Sequence, residues 1–474
     1  MTFQSYEYLF VFLPVVFILY TLVRKNAFAA NTVICLAGLI FYGMSGWHFL
    51  FFLMASALLD FWLGKKIASC EEQDKRKRWL IISCVFNVGM LSLVKYSPWI
   101  TGNLNDLMRW SGFSDHAVLM AMPMVPGISF YTFQTLSYTI DIYKREEHPR
   151  RNLMTYMSFV SFFPHLVAGP IMRSRNLLPQ LEKVRPSVTW EQAAPAIFLI
   201  IWGVFKKLVL ADNFGDIVNN ANLNDAGAGL IFAYAFAMQV YCDFSAYTDV
   251  ARGTARLFKV ELNVNFLTPY FSQNPSEFWR RWHITLSTWV RDYVYIPLGG
   301  NRGGARQTMR NVIITMFLCG LWHGAGTNYI VWGLWHGALL ALYYRYPLDE
   351  MLKRKFGSRL GQPLAMILMF QLVCIGWIFF RGESWQQIWQ AFYSIGEIFR
   401  GEPLGAFTQM LYMLALFALP VFLTDYLGWK RGTEYPELYT LMPTWLKTAH
   451  YVVMFYLLIF LGKRLSNDFI YFQF

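Results

Sequence analysis

Apolar runs that recur from one end of the chain to the other most narrow the folds open to it. Tyr8–Val23 and Ala27–Met44 contain no charged residue, and Trp47–Leu63 contains only Asp60. Further runs follow at Trp79–Val94, Ala117–Tyr143, Ala193–Lys207, Gly227–Tyr247, Val312–Trp322 continuing to Tyr344, Pro363–Phe380, Phe407–Leu427 and Tyr451–Leu461. Segments of this kind are bilayer spans, where a helix satisfies its own backbone groups. Hydrophobic residues make up 56% of the 474 and charged residues 15%. A soluble domain carries roughly 25% charged residues to cover its surface. With 18% aromatic residues the chain is not disordered either. These features predict an all-α polytopic membrane protein, treated as one integral membrane domain over residues 1–474.

Charges set the expected topology. Glu7 precedes the first run and Arg24-Lys25 follow it, the reverse of a signal peptide. The run is therefore read as a retained helix with its N-terminus extracytoplasmic. Lys65-Lys66, Lys75-Arg76-Lys77-Arg78 and Lys144, Arg145, Arg150 and Arg151 then fall on the cytoplasmic side. Leu153–Ile171 is flanked by basic residues at both ends and broken by Pro164, Gly169 and Pro170. It is expected to be a re-entrant hairpin that enters and leaves on one side. Span lengths suggest about eleven transmembrane helices, with re-entrant and interfacial helices besides. No internal repeat at inverted-half spacing supports a secondary transporter.

The net charge of +12 comes from these short clusters, and no basic stripe on a polar domain points to nucleic acid. Cys35, Cys70, Cys84, Cys242, Cys319 and Cys374 are scattered without metal spacing and are expected to be packing residues. HExxH and Gly-x-Ser-x-Gly patterns are absent, so neither a catalytic metal nor a serine-hydrolase elbow is expected.

Residues 252–310 carry nine basic and three acidic side chains, which places most of the segment on the cytoplasmic side. Within it lie Phe278-Trp279-Arg280-Arg281-Trp282-His283 and Trp289-Val290-Arg291-Asp292-Tyr293. Tryptophan beside arginine suits the headgroup level. The spacing by itself favours an interfacial amphipathic helix; a site for an anionic, phosphate-bearing donor is the other reading. After it, Trp322-His323-Gly324-Ala325-Gly326 and Trp332-Gly333-Leu334-Trp335-His336-Gly337 put two histidines within apolar sequence, where such residues are rare and face a cavity or partner. Gly324 and Gly326 are expected to open the helix for a ligand and to leave His323 loosely packed. His336 would lie about 220° around a straight helix from His323, so only one of the two would face a site, and His323 at the break is preferred.

The ordered series SEFWRRWHITLSTWVRDYVYIPLGG (276–300) and GLWHGAGTNYIVWGLWHG (320–337) resembles the membrane-bound O-acyltransferase family in its bacterial polysaccharide-modifying branch. PGISFYTFQTLSYTIDIY (126–143), FFPHLVAGPIMR (162–173), FKK (205–207), YCDFSAYTD (241–249) and WIFFR (377–381) extend the likeness. The closing FIYFQF (469–474) is similar to the alginate-type members, which favours acetyl over D-alanyl. The resemblance implies a many-helix fold around a central tunnel in the bacterial inner membrane. It implies that His323 is catalytic, with His283 as the second polar residue. Trp279, Arg280, Arg281, Trp282, Arg291, Trp322, Asn328 and His336 are the candidate substrate-binding residues. The donor would be acetyl-CoA or another acyl thioester, used as substrate with no bound cofactor. The acceptor would be a hydroxyl of an extracytoplasmic polysaccharide or of a periplasmic or membrane-anchored partner acetyltransferase.

The remaining polar residues carry blander expectations. His48, His116, His148 and His450 are read as solvated or interfacial. His165 is divided evenly between structural and functional roles. Asp141, Asp243 and Asp249 are expected to form structural ion pairs with arginine. A channel or transporter without chemistry of its own is the alternative function, and a purely structural export subunit explains the histidines poorly.

Overall fold

A computed structural model describes residues 1–111, 124–150, 152–400, 407–463 and 469. His116, Arg151, residues 470–474 and the first part of the run expected at Ala117–Tyr143 lie outside the described residues. The rest is helical, with no strand among the described residues. Two compact units are formed, residues 1–200 with 248–263 and residues 201–247 with 264–474.

In the first unit a π-helical turn at Glu7–Phe12 leads into α1 (Leu13–Val23), followed by α2 (Ala27–Gly43), α3 (Phe49–Ser69), α4 (Gln73–Trp110) and α5 (Ile128–Tyr143). Then come α6 (Leu153–Val160), α7 (Ser174–Glu182) and the start of α8 (Trp190–Phe205). Asn26 and Asn152 cap α2 and α6 by accepting from the second and third backbone N–H groups beyond them. The run expected to break at Pro164, Gly169 and Pro170 does so: α6 is eight residues long, and 161–173 carry no helix yet are buried throughout. Arg76 is not a loop cation. It is 4% exposed and donates to the carbonyls of Ile67, Ile142 and Tyr143 at 2.8–3.0 Å, so one guanidinium closes the C-terminal ends of α3 and α5.

A polar ladder joins three of these helices. Ser83 Oγ and Asn87 Nδ2 of α4 donate to the two oxygens of Asp60 on α3 at 2.6 and 2.9 Å. Ser56 donates to Asn87 at 2.6 Å, and Thr135 and Thr139 of α5 meet Ser56 and Ser83 at 3.1 and 3.0 Å. Sequence reading passed over Asp60; its surroundings supply the partners a buried carboxyl needs.

The second unit begins in α8, which runs on through a π-helical stretch, Lys206–Ala211, into α9 (Asp212–Asn220). α10 (Ala228–Leu257) follows, its residues from 248 onward belonging to the first unit. Next come the short α11 (Pro275–Arg281) and α12 (Ile284–Val290), then α13 (Ala305–His323) and α14 (Thr327–Arg345). The unit closes with α15 (Leu348–Arg381), α16 (Trp385–Ile398), α17 (Phe407–Arg431), α18 (Tyr435–Leu441) and α19 (Thr444–Leu461). Among the described residues, six helices are long and apolar enough to cross a bilayer: α4, α8 with its continuation to Asn220, α10, α15, α17 and α19. Glu7–Val23 and Ala27–Gly43 are shorter apolar helices. The count of eleven rests on span length in the sequence.

The run from Val312 to Tyr344, expected to open at Gly324 and Gly326, is two helices folded against each other. Gly320 and Gly333 make the contact. A methyl group on Gly320 would sit 2.4 Å from the Tyr329 carbonyl oxygen, and one on Gly333 would sit 2.4 Å from that of Met316. Gly333 and Gly337 are four apart on α14, the spacing that lets helix backbones approach in a bilayer. Gly89 of α4 has nothing within 4 Å of such a methyl group. G320L should therefore reduce the yield of monodisperse detergent-extracted protein severalfold, since overpacking a tight contact costs ~1–3 kcal/mol or more, while G89L leaves the yield unchanged. Equal yields from the two would contradict the hairpin contact.

Candidate active site

The site is built from the turn between α11 and α12 and from the tip of the α13–α14 hairpin. α11 starts with a reciprocal cap: Asn274 Oδ1 accepts from the Glu277 N–H and Glu277 Oε2 from the Gln273 N–H, each at 2.8 Å, with Pro275 in the first turn. Trp282 is extended, and His283 has φ 42° and ψ 54°. A left-handed residue other than glycine costs of order 1–3 kcal/mol and persists only where its surroundings hold it. Here the Ile284 N–H donates to the Asn265 carbonyl and the Leu267 N–H to the Arg281 carbonyl, both at 2.9 Å.

Asn265, fully buried, also fixes the His283 ring. Its Oδ1 accepts from the Thr285 N–H at 3.1 Å and from Thr285 Oγ1 at 2.7 Å. A backbone N–H can only donate, so this atom is the oxygen. His283 Nδ1, 3.3 Å from the same oxygen, must then carry its proton, and Nε2 presents a lone pair.

His323 is the last residue of α13, and Gly324 takes extended geometry. Its ring centroid is 4.8 Å from Trp322, 4.8 Å from Trp332 and 5.2 Å from Phe380. The Trp322 ring lies 6.3 Å from His283, so both histidines flank one indole. Phe244 stands edge-on to His283 at 4.6 Å. Two expectations fail here. With 4% exposure and three aromatic neighbours, His323 is tightly packed. Nor do the glycines lie open: the Tyr329 ring covers Gly324 and the Asn328 side chain covers Gly326.

The straight-helix argument that separated His323 from His336 fails for the same reason. The chain reverses at Gly324–Gly326, and Trp332 lies between the two imidazoles, 5.0 Å from His336. His336 is fully buried, stacked on Phe278 at 6.0 Å and edge-on to Trp279 at 5.2 Å. The rings from His283 to His336 form one continuous aromatic wall.

The other candidates divide. Trp279 and Arg291 line a pocket of about 150 Å³ with Ser287, Thr315 and Cys319; Cys319 lies four residues before His323, on the same face of α13. Arg291 pairs with Asp292 at 2.7 Å and stays exposed. Arg280 is exposed and bonds Ser276 at 3.1 Å. Arg281 is engaged internally by Glu277, Thr268 and the Leu267 carbonyl at 3.0–3.2 Å. Trp282 is buried between Phe278, Phe266 and Trp377. Asn328 Nδ2 donates to the Gly382 carbonyl at 3.2 Å. Arg281, Trp282 and Asn328 are thus held by protein groups rather than offered to a ligand.

Residues 143–379 match the model of the membrane-bound O-acyltransferase family. The probable alginate O-acetylase AlgI of Pseudomonas aeruginosa is 36% identical over 441 residues, covering 89% of this chain and 82% of that protein. This chain belongs to the membrane-bound O-acyltransferase family. It is therefore an acyltransferase. Other members it resembles are the peptidoglycan O-acetyltransferase of Helicobacter pylori, 32% identical over 81% of this chain and 77% of the relative, and the teichoic acid D-alanyltransferase of Bacillus subtilis, 29% identical over 54% and 68%.

In this acyltransferase several site residues stood inside quoted motifs without an assigned role: Phe244, Trp332, Trp377 and Phe380. Lys207 was another. It bridges Asp212 and Asp243 at 2.9 Å each, all three at most 3% exposed. Asp243 pairs with this lysine, and Asp249 meets an arginine, Arg252, at 4.0 Å. Lysine serves because the π-helical stretch turns its short, compact ammonium between two carboxylates. Asn265 carried no sequence signal at all, since its role depends on a tertiary contact eighteen residues away. N265A should orphan both Thr285 donors and release the His283 ring, lowering stability by about 1–3 kcal/mol. In a double-mutant cycle N265A/H283A should lose no more acyl transfer than H283A alone; additive losses would mean that Asn265 does not act through His283.

Proposed function

We propose that the chain is an O-acetyltransferase that takes acetyl from a thioester, acetyl-CoA, on the cytoplasmic side and delivers it to a hydroxyl on the extracytoplasmic side. The acceptor is a cell-envelope polysaccharide or a partner acetyltransferase that hands the group on. The observation that carries this reading is that His323 and His283 both pack against the Trp322 indole, at ring distances of 4.8 and 6.3 Å, inside a unit whose family is defined by acyl transfer. The relatives named for alginate and peptidoglycan O-acetylation favour acetyl and a glycan acceptor.

In the proposed reaction His323 takes the acceptor's hydroxyl proton as the oxygen attacks the thioester carbonyl carbon. The carbon–sulfur bond then breaks, the imidazolium returns the proton to the departing thiolate, and the ester and free thiol leave. His283 has its Nδ1 proton committed to Asn265, so its Nε2 accepts. That suits holding an amide N–H of the donor's pantetheine arm and does not suit polarising a carbonyl. The pocket bounded by Trp279, Cys319 and Arg291 is the proposed entry for that arm, and exposed Arg280 and Arg291 supply cations for the nucleotide phosphates.

Because His323 is tightly packed, H323N is a better test than an alanine, which would also leave a cavity. Purified protein given labelled acetyl-CoA and acceptor should release thiol 10²–10⁴-fold more slowly as H323N, the usual cost of removing a general base. H336F keeps the ring packing and should lose less than tenfold. Normal acetylation by H323N at matched protein level would remove the catalytic assignment and favour transport without chemistry.

A further inference from the structure

A second cavity lies in the same unit, away from the histidines. It is a crevice of about 440 Å³ between α15 and α17, lined by Tyr234, Tyr270, Met366, Phe370, Leu414 and Val421 among others. That volume is within the ~300–1,000 Å³ of ordinary ligand sites. Its polar groups are already used: Tyr234 Oη donates to Gln371 at 2.8 Å, Tyr241 Oη to Asp425 at 2.8 Å and Tyr270 Oη to the Ala237 carbonyl at 2.6 Å. What is left facing the space is hydrocarbon and aromatic surface, which suits neither a sugar nor a nucleotide. At the rim Ile367 and Phe422 are 58% and 55% exposed, while Leu414 and Val421 behind them are 6% and 3% exposed. The crevice therefore opens sideways on two membrane helices.

Its length and charge name the occupant. From Leu414 to Asp425 α17 rises ~16 Å, about half of the ~30 Å hydrocarbon core, the depth of one leaflet. The last turn of α9 meets the last residue of α15 (Arg381 Nη2 to Asn219 Oδ1, 3.1 Å), and the α9–α10 connection that follows meets the first residue of α17, since a methyl group on Gly227 would touch the Phe407 ring. The two helices thus run in opposite senses, and their other ends point the same way. Those ends carry Arg354, Lys355 and Arg359 on α15, around the sharp elbow at Gly357 (φ 71°, ψ 161°), and Lys430 and Arg431 on α17. Arg354 and Lys355 line a second recess with Leu368, one residue from Ile367 of the crevice rim. Arg354, Lys355, Lys430 and Arg431 form no ion pair among the described residues.

We propose that this crevice is a binding site for an anionic phospholipid, with one acyl chain between α15 and α17 and the phosphate headgroup at the basic ends of the two helices. Basic pockets beside membrane helices hold anionic headgroups in this way. The site stands apart from acyl transfer and does not depend on the assignment of His323. Full-length protein, delipidated by detergent exchange, would be titrated with phosphatidylglycerol and with phosphatidylcholine of the same chains and read by native mass spectrometry. Wild type should bind one phosphatidylglycerol per chain in preference to phosphatidylcholine. A418W, which fills the crevice, should abolish that adduct. K430Q/R431Q, which leaves the crevice intact, should weaken it by roughly fivefold for each cation removed. Should A418W fail to fold, the charge variant decides alone. Equal binding of the two lipids, undiminished binding by folded A418W, or unchanged affinity in K430Q/R431Q would each overturn the proposal.

Discussion

Everything at the candidate site depends on one backbone contact, Gly320 of α13 against Gly333 of α14. In a bilayer a chain can leave helical geometry only where protein satisfies the freed groups. The glycine contact brings the two helices close enough for that, so α13 can end at His323 within an aromatic interior. Residues 324–326 then reverse the chain under the Tyr329 ring and the Asn328 side chain. The histidine reaches its position because the hairpin is tight.

The polar interior follows the same economy. Three buried polar clusters have specific partners. Lys207 is shared by Asp212 and Asp243, Asp60 is held by Ser83 and Asn87, and Arg76 closes two helix ends. Breaking such arrangements costs several times more than a surface pair, because the survivor stays buried. Such groups also set helices in register, which apolar packing against lipid does poorly. Around His283 and His323 stand aromatic rings: Phe244 and Trp322 for the first, Trp322, Trp332 and Phe380 for the second.

Much of this was legible in the sequence. The helical membrane class followed from runs such as Tyr8–Val23, the break after residue 160 from Pro164, Gly169 and Pro170, and the two histidines from their apolar context. The resemblance was legible because its motifs are continuous in sequence. What stayed hidden is non-local. Asn265 acts through the turn between α11 and α12, and the left-handed geometry of His283 needs the backbone bonds that tie residues 265–267 to 281–284. The angular separation of His323 and His336 was misjudged because helical periodicity cannot say that a chain folds back at Gly324–Gly326. The same glycines, read as openings for a ligand, are spaces that neighbouring side chains already fill.

In the proposed reaction one interior site joins a donor on one face of the membrane to an acceptor on the other. Inside-out and right-side-out vesicles from cells making the protein, with their polymer and partners in place, provide the most direct measurement. Labelled acetyl-CoA would be added only outside. The proposed reaction predicts label in the envelope polymer from inside-out vesicles, where the donor meets the cytoplasmic face, and none from sealed right-side-out vesicles. Equal incorporation from both orientations, or incorporation only when donor and acceptor share one face, would contradict it.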